Sequence, residues 1–215
     1  MIQFYAFGSS FEYGVGGEDG GWADILKRRL HKRMYGPDGV GEKYELYNFA
    51  QPGATIDFVR ETAPEQVARY RRENDRAIAL VSVGGNNVKA VDRLDNFVST
   101  PEEYRDEMSG LLSELKSVAD RVIFVGSGPV DESKTNPKPN PLTGGCSYFS
   151  NERMQAFEAI LVDVCDTLSV EYVPVGVFQD EWVQSYLAPD GLHPNGRGYE
   201  LIAERVWELL EDEIK

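Results

Sequence analysis

Five short runs rich in β-branched and aromatic residues, Ile2–Phe7, Tyr44–Phe49, Ala77–Val83, Arg121–Val125 and Glu171–Val175, alternate with segments whose apolar residues recur at helical spacing. Such β-α alternation is the mark of a parallel sheet with helices on both faces. The helical segments carry start signals of their own. Thr100-Pro101-Glu102-Glu103 combines a Thr cap, a Pro at the first helical position and a Glu three residues after the cap, which predicts a helix from about Pro101 to Val118. After Gly20-Gly21, Trp22, Ile25, Leu26 and Leu30 form one apolar face, and Lys27, Arg28, Arg29, Lys32 and Arg33 fill positions expected to meet solvent. Ser150 precedes a core-packing stripe of Met154, Phe157, Ile160, Leu161, Val164 and Leu168. A last helix is expected from about Gly198 to Glu211, buried through Leu201, Ile202, Val206, Leu209 and Leu210, holding the Asp190–Asn195 loop against the body.

With 215 residues the chain can bury a full core, and no repeat, low-complexity tract or linker divides it, so a single domain over 1–215 is expected. Against 22 basic residues stand 36 acidic ones, a formal charge of −14 that repels nucleic acid and anionic lipid headgroups and argues against either as a partner. No apolar run approaches the roughly 20 residues that span a bilayer. The N-terminus enters a strand without a basic region or cleavage site, so a cytoplasmic location is expected. Cys146, in a Gly/Pro-rich loop, and Cys165, in a helical pattern, have no CxxC spacing and read as free thiols, Cys165 in the core.

In a parallel sheet the loops at the carboxyl ends of strands form the ligand crevice. Two long connections, Gly126–Phe149 and Gly176–Pro189, are expected there. The first strand ends in Phe7-Gly8-Ser9-Ser10-Phe11-Glu12-Tyr13-Gly14, which puts a serine hydroxyl at such an end, near backbone N–H donors. Alone, this segment also reads as a plain turn. In Asp190-Gly191-Leu192-His193-Pro194-Asn195 an acid and an imidazole stand three residues apart on a loop. Asp190 can then hydrogen-bond one ring nitrogen and leave the other to take a proton from a serine. The bland alternative is an Asp-Gly turn beside a loop histidine. His31, the other histidine, lies on a predicted surface helix, so a histidine base would be His193. No second histidine or thiolate pair stands at ligand spacing, and no metal is expected.

Two glycine-rich strand ends, Asn48-Phe49-Ala50-Gln51-Pro52-Gly53-Ala54-Thr55 and Val83-Gly84-Gly85-Asn86-Asn87, would bring the Gly53 backbone N–H and the Asn86 amide to the same crevice. Acyl transfer needs donors of this kind, because negative charge builds on the carbonyl oxygen under attack. At Gly53 the missing side chain also lets substrate approach the backbone.

The order Ser, Gly, Asn, then Asp-x-x-His, each at a strand end, resembles the SGNH hydrolases, also called GDSL esterases and lipases, from Gly8 to about Ile202. The resemblance implies Ser10 as nucleophile, the Ser10 and Gly53 backbone N–H groups and the Asn86 amide as oxyanion donors, and Asp190 and His193 as the rest of a triad. Gly14, four residues after Ser10, fits the family's Gly-Asp-Ser-Leu-x-x-Gly pattern. Ser9 stands where the family usually has Asp, Phe11 where it often has Leu, and Asn87 where an acid usually braces the loop; Ser9 is the one departure that leaves a second serine beside the nucleophile.

The fold so implied is a three-layer α/β/α sandwich with a flavodoxin-like parallel sheet of about five strands. The implied chemistry is two-step acyl transfer on a small-molecule ester, with no cofactor. Phe11, Phe97, Tyr148, Phe149, Phe178, Trp182 and Tyr186 are candidates to line the crevice, some of them as plain core or surface aromatics. A modest apolar pocket suited to short acyl chains, acetyl included, is expected; thioesterase or lysophospholipase activity of the same family is the neighbouring reading. Outside it stand a non-catalytic binding module on the same sheet and a phosphate-binding flavodoxin or receiver domain. The last is disfavoured because Gly8–Gly14 offers no Ser/Thr run to cradle phosphate.

Overall fold

Strand β1 (Ile2–Gly8) is buried on both faces from Gln3 to its end, which a strand achieves only inside a sheet covered on both sides. In the computed structural model, which describes residues 1–140 and 144–214, β1 pairs in parallel with β2 (Tyr44–Asn48) on one edge and β3 (Arg76–Ser82) on the other. Strands β4 (Arg121–Val125) and β5 (Glu171–Val173) extend the β3 side, so the sheet runs β2-β1-β3-β4-β5, all parallel. Residues 141–143, inside the predicted Gly126–Phe149 connection, lie outside the described residues.

The covering helices are α1 (Trp22–Tyr35), α2 (Ile56–Tyr70), α3 (Pro101–Val118), α4 (Asn151–Leu168) and α5 (Gly196–Leu210). Successive strand residues point to opposite faces. Tyr5 and Phe7 therefore pack with Val59 of α2, Leu111 of α3 and Phe157 of α4, and Phe4 and Ala6 with Leu26 of α1 and Val206 of α5. The result is the three-layer α/β/α sandwich with five parallel strands.

The helix signals act where the sequence puts them. Thr100 Oγ1 accepts from the Glu103 N–H at 3.2 Å while Glu103 Oε2 accepts from the Thr100 N–H at 2.8 Å. Lys27, Arg28, Lys32 and Arg33 are exposed, and Arg29 crosses to Glu204 and Glu200 of α5 at 2.7 and 3.1 Å. Cys165 is fully buried, and that burial pushes its thiol up to about 12.

Some boundaries differ. β5 ends two residues before the predicted Val175, and α5 starts at Gly196 rather than Gly198, because the Asn195 side chain accepts from the Gly198 N–H at 3.0 Å and opens the helix earlier. The long connections also hold structure that periodicity does not reveal. One is a helix at Gln179–Ser185. Another is a small antiparallel sheet in which Cys146–Tyr148 lies between Ala90–Val91 and Lys138–Pro139.

The chain reverses its winding direction at β1, whose neighbours β2 and β3 lie on opposite sides, and in a sheet of this order the ligand crevice opens at the carboxyl ends there. Gly8 stands opposite Ser82 in the register, so the turns after β1 and β3 emerge side by side. Among the described residues no helix is long and apolar enough to cross a membrane.

Candidate active site

Ser10 is the first residue of a single helical turn, Ser10–Tyr13, that begins directly after β1. The turn closes with Tyr13 N–H donating to Ser9 O and Gly14 N–H to Ser10 O, and Gly14 adopts φ +97°. Ser9 is buried and Ser10 is partly open.

The Asp190–Asn195 loop reaches Ser10 from the other end of the chain. His193 Nε2 is 2.9 Å from Ser10 Oγ, and His193 Nδ1 is 2.6 Å from Asp190 Oδ2. Asp190 Oδ1 accepts from the backbone N–H groups of Leu192 and His193, both at 3.0 Å, which is why an acid followed three residues later by a histidine can turn back on itself. Burial pushes the Asp190 carboxyl up, but the hydrogen bonds from the His193 ring and from these two backbone groups outweigh it and hold the carboxyl well below the usual carboxylate range. The loop is anchored by the Asn195 amide, which donates to Ser185 O and Leu187 O at 3.1 and 3.0 Å.

The two neighbouring asparagines after β3 do different work. Asn86 lines the recess that holds Ser10 and His193; its Nδ2 donates to Ala54 O at 3.0 Å, which occupies one of its two N–H groups. Asn87 is buried and faces the other way, its Oδ1 accepting from the Ile56 N–H at 3.0 Å and its Nδ2 donating to Ser99 Oγ at 3.0 Å. Ile56 opens α2, and the Thr55 side chain makes no cap bond, so Asn87 satisfies a helix donor that would otherwise be orphaned. Gly53 has φ +87° and is exposed. It lies outside the lining of the recess and is joined to it through Ala54, the acceptor of the Asn86 amide.

The recess has a volume of about 60 Å³. A second cavity of about 260 Å³ adjoins it with Ser9, Phe11, Gly85, Ser127, Gly128 and Met154 as shared wall, and runs on between the sheet and α4 past Val83, Phe124, Phe157 and Leu161. Of the aromatics expected in the crevice, Phe11, Phe149 and Trp182 line it. Phe97 lies under the Arg153 guanidinium, Tyr148 belongs to the small antiparallel sheet, Tyr186 stacks on Trp182, and Phe178 is 87% exposed.

Three charged side chains that sequence reasoning passed over belong to the site or its support. Lys138 Nζ lies 3.1 Å from Asp190 Oδ2, and Lys89 Nζ lies 3.0 Å from Asn86 Oδ1. Glu12 is fully buried beneath the Ser10 turn, and among the described residues neither carboxyl oxygen has a hydrogen bond of normal geometry; burial, reinforced by the negative Asp24 and only partly opposed by the nearby Trp22 indole, pushes its carboxyl well above the usual range. Only Glu12 left a signal. Residues two apart on a helix point to roughly opposite sides, so a turn that shows Ser10 to the crevice sends Glu12 inward. Among the described residues, no group of three or more His, Cys, Asp or Glu side chains is placed to hold a metal ion.

Comparison with known proteins agrees with this architecture. The model of the GDSL-like lipase/acylhydrolase family matches residues 6–201. The GDSL esterase/lipase CPRD49 of Arabidopsis thaliana is 26% identical over 216 residues, covering 98% of this chain and 79% of that protein. The isoamyl acetate-hydrolyzing esterase of Saccharomyces cerevisiae is 26% identical over 174 residues, covering 79% of this chain and 70% of that protein. Among solved structures, the lipase/acylhydrolase of Enterococcus faecalis superimposes with a TM-score of 0.73 at 17% identity, over 100% of this chain and 98% of that one. The acetylxylan esterase Axe2 of Geobacillus stearothermophilus gives 0.67 at 15% identity, over 96% and 93%.

Proposed function

We propose, from the premise that the chain belongs to the GDSL-like lipase/acylhydrolase family, that it hydrolyses small carboxylic esters through an acyl-enzyme on Ser10. The observation that carries the proposal is the hydrogen-bonded row Asp190–His193–Ser10, with 2.6 Å at one contact and 2.9 Å at the other. In the first step His193 Nε2 takes the Ser10 proton as Oγ bonds to the ester carbonyl carbon. Asp190 holds the ring through Nδ1 and balances the imidazolium. Negative charge on the carbonyl oxygen meets the Ser10 backbone N–H and the remaining Asn86 N–H, both in the recess; the family resemblance adds the Gly53 backbone N–H, whose loop is joined to the recess through Ala54. Collapse breaks the carbon–oxygen bond to the alcohol, which leaves with the proton from His193. Water, deprotonated by His193, then attacks the acyl-enzyme, releasing the acid and restoring Ser10. The reaction as written uses no metal and no organic cofactor.

The linings of the two cavities support a division of the substrate between them. The leaving alcohol must take its proton from His193, and His193 lines the small recess but not the larger cavity. The acyl group therefore takes the cavity toward α4. An enclosed cavity of about 150 Å³ accommodates benzene, so the 260 Å³ here has room for an acyl group of about ten non-hydrogen atoms. Short acyl esters, acetyl included, fit this space.

The test is nitrophenol release from 4-nitrophenyl acetate at neutral pH with chelator present. Ser10→Ala is expected to lose activity by about 10⁴-fold or more with an unchanged Tm, and Ser9→Ala to stay within ten-fold of wild type. Equal rates in wild type and Ser10→Ala overturn the proposal.

A further inference from the structure

Two lysines reach the site from one small element. Lys89 immediately precedes Ala90–Val91 and Lys138 opens Lys138–Pro139; these are the outer strands of the antiparallel sheet, and Val91 and Lys138 both stand opposite Ser147 of the middle strand. We propose that this three-stranded sheet is a positioning device for the active site, with Lys89 holding the Asn86 amide and Lys138 holding the Asp190 carboxylate. The inference rests on the esterase reading above.

At one end, Lys89 Nζ donates to Asn86 Oδ1 at 3.0 Å while Asn86 Nδ2 donates to Ala54 O at 3.0 Å. The amide is thus pinned through both of its polar atoms, and one N–H is left for a developing oxyanion. A cation on the amide oxygen also draws electron density from the nitrogen, which makes that N–H a stronger donor and puts positive charge one amide away from the oxyanion. Lys89 is half-buried, and burial pushes its ammonium below its ordinary value; among the described residues no carboxylate lies within ion-pair distance to offset this. Keeping such a group charged costs folding free energy, so it marks a functional site more readily than a structural one.

At the other end, Lys138 Nζ donates to the Asp190 carbonyl oxygen and to Oδ2, each at 3.1 Å. Oδ2 is also the oxygen that holds His193 Nδ1. Lys138 therefore fixes the carboxylate whose direction sets the imidazole plane. The middle strand pairs with the strand that follows Lys89 and with the strand that Lys138 opens, so the side chains that hold Asn86 and Asp190 keep register with each other. Neither lysine touches the reacting atoms in this arrangement; both act through another residue.

The experiment compares kcat, KM and Tm of wild type with Lys89→Met, Lys138→Met and the corresponding Arg and Gln variants, on 4-nitrophenyl acetate from pH 6 to pH 10. Each Met variant is expected to lose about ten-fold in kcat, less than removal of a direct oxyanion donor costs, with KM within two-fold of wild type. Arg at either position restores most of the loss. In wild type kcat falls at the alkaline end as Lys89 loses its proton, and in Lys89→Arg that fall is absent. Among the described residues, the other charged groups on elements packed around these loops include Arg153 and Glu107 near Asn87, Asp92 beside Cys146, and Asp131, Lys134 and His193 near Asp190. They are common to all variants and cannot produce a difference confined to Lys89→Arg. Where a Met variant lowers Tm, the Gln variant takes its place. Unchanged kcat in either Met or Gln variant, with wild type active, overturns the positioning role alone; absence of turnover by wild type overturns the esterase reading and the inference with it.

Discussion

His193 Nε2 lies 2.9 Å from Ser10 Oγ across 183 positions of sequence. The loops that meet there touch at Gly16, which has φ +95° and no room for a side chain: a Cβ would stand 2.6 Å from Pro194 O and 3.1 Å from His193 Cβ. Gly16→Ala is expected to displace the histidine loop from Ser10. A displacement near 1 Å costs on the order of 10²-fold in rate, so kcat on 4-nitrophenyl acetate should drop by about that factor, together with a lower Tm from the strained backbone. A variant with wild-type kcat would show that the loops do not depend on this contact.

Asn86 and Asn87 are adjacent and chemically identical, yet their deletions should separate cleanly. Asn86→Ala removes a donor from the recess and is expected to lower kcat by 10²–10³-fold, with a smaller loss of Tm than Asn87→Ala because Asn86 is only partly buried. Asn87→Ala leaves the buried Ile56 N–H without its acceptor and should cost about 1–3 kcal/mol of stability. Urea titration and steady-state kinetics on the two variants check both halves.

Glu12 should make stability depend on pH. Its folded-state value is raised above the unfolded Glu value of about 4.3. The stability it contributes is therefore complete below about pH 4 and is lost as pH rises through the folded-state value. Glu12→Gln, which stays neutral, is expected to melt higher than wild type at pH 7. The gap should close toward pH 4. Thermal melts at the two pH values decide it, and an identical gap at both would mean that Glu12 does not titrate differently in the fold.

The cavity toward α4 should set an acyl-chain ceiling. Rates on 4-nitrophenyl acetate and hexanoate are expected to exceed the rate on dodecanoate by ten-fold or more, because a twelve-carbon chain exceeds the space. Met154 forms part of the wall shared with the recess. Met154→Trp should therefore depress hexanoate turnover well below acetate turnover, which a parallel substrate series would reveal.

Much of this fold was legible in the order of residues, for identifiable reasons. The run Ile2–Phe7 is continuously apolar or aromatic apart from Gln3, as a strand covered on both faces must be, and it became the buried β1. The Thr100 capping box and the Ser150 cap start α3 and α4 because a cap acts on the next three residues and needs nothing distant. The Asp190–His193 contact was legible for the same reason. What stayed hidden was structure without periodicity: the strands of the small antiparallel sheet are two or three residues long, too short for any alternation to register.

By itself the sequence determined the layer architecture, the helix starts and which residues stand at strand ends, because period, capping and turn chemistry act over a few residues. Ser10 and Asn86 are singled out in the sequence only by their match to a family pattern; the physical reason that they, and not Ser9 and Asn87, face the recess lies in the tertiary structure, which also decided that Lys89 and Lys138 reach Asn86 and Asp190. Ser9 and Ser10 differ by one position, and only the φ and ψ of the turn, set against β3 and the histidine loop, expose one hydroxyl and bury the other. Lys138 lies 52 residues from Asp190, and a contact at that range follows from where strand pairing carries the chain, which no local pattern encodes.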